Sequence, residues 1–406
     1  MSNTQLQQKV IRTLATAQVL NGLGVAGTVA AGSLLVSSVS NSETLAGLAQ
    51  TSSVLGAAAL ALPLARLTQI GGRRLALSMG LILGVIGSLL VISGGLNENL
   101  YLILLGTFLV GAASASGYQA RFAAIDLATS QRSSQQLSFV VWGSTIGAVA
   151  GPNLMQPSGD FARKLGFPEL VGPYFISAIT LTLAAALILI FLRPDPYLTA
   201  NKLSSEKQKQ ITNKLALKHI LGNKLARFAI AAITVGHVAM VSVMVMTPIH
   251  MAHVDVTLRI IGIVISIHVL GMYAFSPVVG LVSDRIGGVA TIKIGLATLL
   301  ISSVIAGTSP AGDAIRLGVG LFLLGLGWSC TLIAGSTLLS QSVELNFKSA
   351  SQGASDLVMN LAGAGGGAVA GVIIATLSYG WLCLIASIPV AYLALTSLKL
   401  KPGLLK

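Results

Sequence analysis

Twelve long stretches of this chain carry almost no charge, and the Lys, Arg, Asp and Glu residues gather in the gaps between them. The stretches lie near residues 13–37, 45–67, 75–95, 100–120, 137–156, 172–192, 228–252, 260–282, 290–308, 316–340, 351–378 and 380–397. Each is about as long as the ~20 apolar residues that cross a bilayer as a helix. Inside lipid a backbone must satisfy its own N–H and C=O groups, which limits such stretches to helices. Only 9% of the residues are charged, against roughly a quarter in a soluble domain. The expected fold is therefore all-α and polytopic, with 12 transmembrane helices. The polar start MSNTQLQQKVIR leads directly into a full-length first span, so no cleaved leader is expected.

A net charge of +13 would suit a nucleic-acid partner, but its placement excludes one. With the N-terminus in the cytoplasm, 21 of the 25 Lys and Arg fall in inner segments and only Arg163, Lys164, Arg259 and Arg316 fall outside. That is the positive-inside bias. It predicts a multi-pass protein of the inner membrane with both termini cytoplasmic and the lipid bilayer as its surroundings. One inner segment, residues 193–227, is long, polar and basic. It divides the chain into 1–192 and 228–406, six spans each. Within it, the apolar residues of 205–221 do not separate from the lysines at helical spacing, so it reads as a linker rather than an interfacial helix.

The halves repeat. Gly147-Ala148-Val149-Ala150-Gly151 in the fifth span recurs as Gly367-Ala368-Val369-Ala370-Gly371 in the eleventh. After the eighth span stands Gly280-Leu281-Val282-Ser283-Asp284-Arg285-Ile286-Gly287. After the second stands an altered copy, with Ala65 for the glycine and Gln69 for the acid but with Gly72, Arg73 and Arg74 kept. The element resembles the loop motif of the major facilitator superfamily. The resemblance covers the whole chain and implies two pseudo-symmetric six-helix bundles that rock about a midplane site. Asp284 is expected at a cytoplasmic helix end within reach of Arg285 and of neighbouring helix N-termini, a charge cluster that latches one helix pair to another. Gly147, Gly151 and Pro152 resemble the superfamily's glycine–proline motif and read as a packing or hinge site.

Four of the five histidines and five of the nine methionines lie between His237 and Met272. Met240 and Met244 are four apart, as are His268 and Met272, which sets soft donors on helix faces. At the helical rise, Met240 and Met272 sit roughly 18 Å into their spans, and Met244 and His268 both about 12 Å from the outer end. Antiparallel neighbours would bring these donors level, with His237 below as a relay. His250, Met251 and His253 form a candidate capture cluster at the outer mouth. The two pairs resemble motifs of the superfamily's copper importers, a subfamily that is similar to riboflavin-transporter-like members. Copper is thus the first expected substrate, imported along His237, Met240, Met244, His268 and Met272 without a resident cofactor, with a small organic solute as the alternative. Cys330 and Cys383 are the only cysteines, and neither lies in the seventh or eighth span.

Asp356 is an acid well inside a span, a placement that marks ion coupling or a buried pairing with Arg121, Arg132 or Lys348. Asn360 is one turn further on. Gln18 and Asn21 in the first span are candidate cavity residues or interhelical hydrogen-bond partners, and Trp142 and Trp328 candidate cavity walls or packing residues. No nucleotide, hydrolase or nucleophile motif speaks for an enzyme. The expectation is a monomeric alternating-access transporter of copper or of a small organic solute of the riboflavin type. A non-transporting receptor fits less well, for want of a sizeable soluble domain.

Overall fold

The computed structural model describes residues 3–42, 45, 47–203, 213–252 and 258–400. Among them every regular element is helical. In chain order these are α1 (Asn3–Ser40), α2 (Gly47–Leu96), α3 (Leu100–Ala123), α4 (Ser133–Asn153), α5 (Met155–Lys164), α6 (Gly172–Phe191), α7 (Pro196–Leu203) and α8 (Asn213–Gly222). They continue with α9 (Lys224–Ala252), α10 (Leu258–Val269), α11 (Ser276–Ile286), α12 (Gly288–Gly307), α13 (Ala314–Ser342), α14 (Leu345–Thr376) and α15 (Tyr379–Ser397).

Ten helical segments of the described residues are long and apolar enough to cross a membrane, and α4 with α5 makes an eleventh. The α4–α5 pair is bent by 57°. The 50 residues of α2 would run for about 75 Å, more than twice the ~30 Å hydrocarbon core. The helix breaks at Gly72, whose φ of 83° suits glycine and strains any residue with a Cβ. Counting α2 as two spans gives the expected twelve. The matching corner, between α11 and α12, turns at Gly287 with φ of 90°. Its offset from Gly72 is 215 residues. Ala65 and Gly280, and Gln69 and Asp284, stand at the same offset, so the altered motif copy is in register with the intact one.

The eighth span is also broken. Between α10 and α11 the residues Leu270–Ala274 form a π-helical turn, a feature frequent at functional sites.

The chain folds into two compact units. One comprises Met1–Ala128, Gly143–Ala216 and Leu345–Asn360; the other comprises Thr129–Trp142, Leu217–Glu344 and Leu361–Lys406. Helices α4 and α14 are each shared, one segment to each unit. In the first unit α2 packs on α3 through Gly87 and Gly106, where an added Cβ would strike the facing backbone. Without a hydrophobic effect between helices in lipid, such close backbone packing supplies much of the association energy. In the second unit α13 is the hub, packed by α9, α10 and α12, while α9 and α10 touch each other only slightly.

Candidate functional site

Two polar sites lie in the first unit. The upper one is built of amides. Gln18 donates from Nε2 to Ser144 Oγ at 2.9 Å, and Asn21 donates from Nδ2 to the Ala113 carbonyl at 3.2 Å. Gly117 makes the room: a Cβ there would stand 2.5 Å from Asn21 Nδ2 and 3.2 Å from Gln18 Nε2. Asn21 is buried, and its Oδ1 accepts no hydrogen bond.

The lower site is a network of buried charge. Arg73 is fully buried and grips Asp126 with two bonds, of 2.8 and 3.1 Å. It also donates to Gln119 Oε1 at 3.2 Å and to Gln352 Oε1 at 2.7 Å. Gln119 passes the chain on, donating to Asp356 Oδ2 at 3.4 Å, and Arg121 completes it with a 2.6 Å bond to Asp356 Oδ1. The Arg121 guanidinium also lies 4.5 Å over the Phe122 ring. A buried charge is tolerated only when paired and hydrogen-bonded, and both arginines meet that condition. Asp356 is thus bound to Arg121, one of its three candidate partners. Asn360 spends its amide on the Asp356 carbonyl, inside its own helix.

Asp126, Gln119 and Gln352 were not singled out from sequence. The signal was present for Asp126, one of only 12 acids in a chain of 25 Lys and Arg. Asp195, another, accepts the Arg74 backbone N–H at 2.7 Å and caps α7 at Tyr197 and Leu198. It occupies the space beside Gly72, where a Cβ would meet the carboxylate at 2.5 Å.

In the second unit Asp284 accepts the backbone N–H groups of Ser134 and Gln135, each at 2.9 Å. These are orphan donors of the first turn of α4, where a carboxylate also meets the positive end of the helix dipole. Ser134 Oγ donates to Ser283 Oγ at 2.9 Å, and Gly280 packs directly on Ser138. Arg285 is exposed.

The counterpart contact in the first unit reverses the residues. Ala65 faces Gly353, and Ser349 Oγ donates to the Ala65 carbonyl at 2.6 Å. Gly353 lies 215 residues after Ser138, the same repeat offset. The small residue has moved from one helix of the crossing to the other.

The His and Met residues of the second unit separate into three groups. His237 accepts a hydrogen bond at Nδ1 from Trp328 Nε1 at 3.2 Å, and the Tyr273 ring meets Trp328 edge-on at 5.6 Å. Gly363 lies against His237, where a Cβ would come within 2.9 Å of Nε2. Met240 and Met272 are buried and Met244 is half-buried.

His268 turns onto α13 rather than toward α9. Its Nδ1 bonds the Leu321 carbonyl at 2.8 Å, so the proton sits on Nδ1, and its buried Nε2 has no partner. Gly271 and Gly325 draw α10 and the π turn against α13 there. The sequence-derived picture of α9 and α10 as facing neighbours is thus replaced by one in which each packs on α13.

At the far end of α9, His250 stacks on Tyr379 at 4.2 Å and Met251 is fully buried. These two are packing residues in this structure, and His253 lies outside the described residues. Among those residues no group of three or more His, Cys, Asp or Glu could hold a metal ion. Trp142 is exposed, and Trp328 is buried against His237.

Twelve spans, a repeated pair of loop corners and charge networks at helix ends define a polytopic transporter architecture. The sequence profile of the Major Facilitator Superfamily matches residues 14–367, and the chain belongs to that family. It is 35% identical over 385 residues to an uncharacterized MFS-type transporter of Bacillus subtilis, covering 94% of this chain and 90% of that one. It is 26% identical over 359 residues to a riboflavin transporter of Brucella anthropi, covering 88% and 87% respectively. The fold matches the Escherichia coli fucose:proton symporter with a TM-score of 0.73 at 16% identity, over 96% of this chain and 98% of that one.

Proposed function

We propose that this transporter carries a small organic solute with a planar, hydrogen-bonding ring, and that riboflavin is the first substrate to test. The observation that carries the reading is the His237–Trp328–Tyr273 cluster on three helical segments of the second unit. Trp328 is buried and gives its N–H to His237, so it fixes the imidazole and backs Tyr273, whose half-buried ring is the face left for a planar solute. The distant likeness to a riboflavin transporter supports the same class. Copper gains no such support: His268 holds α13 through Nδ1, and the Met240/Met244 and His268/Met272 pairs stand on segments that barely meet.

In this reading transport follows alternating access, with both termini in the cytoplasm, as the placement of Lys and Arg favours. Asp356 then acts as half of a latch with Arg121, and a coupling ion would be handled elsewhere. The test is uptake of labelled riboflavin by cells expressing the wild type, His237→Phe or Tyr273→Leu. Saturable uptake above background by the wild type, reduced at least tenfold in both variants at equal surface expression, is expected. Background uptake by the wild type, or full uptake by both variants, overturns the proposal.

A further inference from the structure

The second unit carries a groove that the transport reading does not use. It lies between α12 and α15 and has a volume of about 350 Å³. The two helices nearly touch at one end, where a Cβ on Gly380 would stand 2.8 Å from the Gly307 carbonyl oxygen. One to two turns away, the small side chains of Ser303 and Ser387 leave space, and exposed Val304, Leu384 and Trp381 form its apolar flanks. The serines do not make it polar. Ser303 Oγ donates to the Leu299 carbonyl at 2.9 Å and Ser387 Oγ to the Leu384 carbonyl at 2.7 Å, so each hydroxyl is satisfied within its own helix.

The rim is different. Thr308 closes the groove at the helix ends and accepts a 2.7 Å bond from Arg316 Nη2. Arg316 is exposed and has no ion pair among the described residues. The nearby Asp313 carboxylate is turned onto the Arg316 backbone N–H, as the cap of α13. A guanidinium without an ion pair at a helix end, beside a tryptophan, has the placement of a group at the membrane–water boundary. An apolar channel leading away from it into the bilayer matches an acyl chain, and the guanidinium matches the phosphate above that chain.

We propose that this groove is a binding site for one anionic phospholipid, its phosphate on Arg316 and one acyl chain between α12 and α15. The charge at the rim selects the headgroup, and the gap left by Ser303 and Ser387 accepts the chain. The full-length protein, purified in mild detergent, is mixed with equal amounts of phosphatidylglycerol and phosphatidylethanolamine and read by native mass spectrometry. The wild type is expected to retain one phosphatidylglycerol in preference to phosphatidylethanolamine. Arg316→Gln should lose that preference while still holding a lipid, and Ser387→Phe, which fills the groove, should lose both lipids. Thermal unfolding close to that of the wild type verifies that each variant is folded. Equal lipid retention by all three proteins overturns the proposal. So does a wild-type dimer that carries no lipid, since a second copy would then cover the groove.

Discussion

The reversed crossing at Ala65 and Gly353 gives the sharpest prediction. An alanine at 353 would set its Cβ 2.5 Å from Ala65 Cβ and 3.1 Å from the Ala61 carbonyl oxygen. Carbon atoms rest at about 3.5–4.0 Å, so the helices must part by roughly 1–1.5 Å at this point. Overpacking of that kind costs about 1–3 kcal/mol. The neighbouring 2.6 Å bond from Ser349 to the Ala65 carbonyl stretches with it. Ala65→Gly alone removes one methyl and loosens the backbone, for about 0.5–1 kcal/mol. The double variant Ala65→Gly with Gly353→Ala restores the arrangement that Gly280 and Ser138 adopt in the other unit, with the glycine on the other helix. Equilibrium unfolding of the purified wild type, two single variants and double variant forms a cycle. The double variant should be less destabilised than the sum of the singles by about 1 kcal/mol or more. Additive losses would refute the steric account and leave the two sites independent.

Other expectations follow from the charge networks and corners. Asp356→Asn or Arg121→Leu leaves a buried partner unpaired and should cost about 3–5 kcal/mol in unfolding free energy; a loss below 1 kcal/mol would show that water replaces the partner. Asp284→Asn keeps the size of the side chain but removes the charge that meets the α4 N-terminus, for about 0.5–2 kcal/mol, read as a lower thermal midpoint. Gly287→Ala, at a φ of 90°, should destabilise by about 1–3 kcal/mol. Neutralising Arg285, which is exposed, should change stability by less than about 0.5 kcal/mol.

The spans were readable because lipid imposes one rule on every residue of a helix, and composition alone carries it. The loop corners were readable because a left-handed turn and a close crossing each call for glycine. The network around Arg73 was not. Its members come from three distant segments, with Arg73 on one, Gln119 and Asp126 on the next and Gln352 on the last, and no local spacing announces that they meet. The placement of His268 failed for another reason. Counting residues along a span gives a depth for His268 and Met244. It gives no rotation about the helix axis, and the π turn at Leu270–Ala274 alters that rotation just beyond the histidine. The turn of α5 was likewise hidden. The fifth span was read as ending at residue 156, whereas the chain bends there and continues as a helix to Lys164, where Arg163 pairs with Asp160 and Glu169.

The sharing of α4 and α14 between the units bears on how this protein could be assembled from pieces. A cut in the basic linker would give two fragments, each with six spans and neither with a complete unit. The first fragment lacks Leu345–Asn360, with Asp356 and Gln352, and so holds two arginines short of partners. The second lacks Thr129–Trp142, and Asp284 loses the helix start it caps. Each fragment therefore lacks a hydrogen-bond partner that the other supplies, the first for buried Arg121 and the second for half-buried Asp284. The linker turns that mutual need into a unimolecular event, so the two halves meet at an effective concentration that separate fragments would lack.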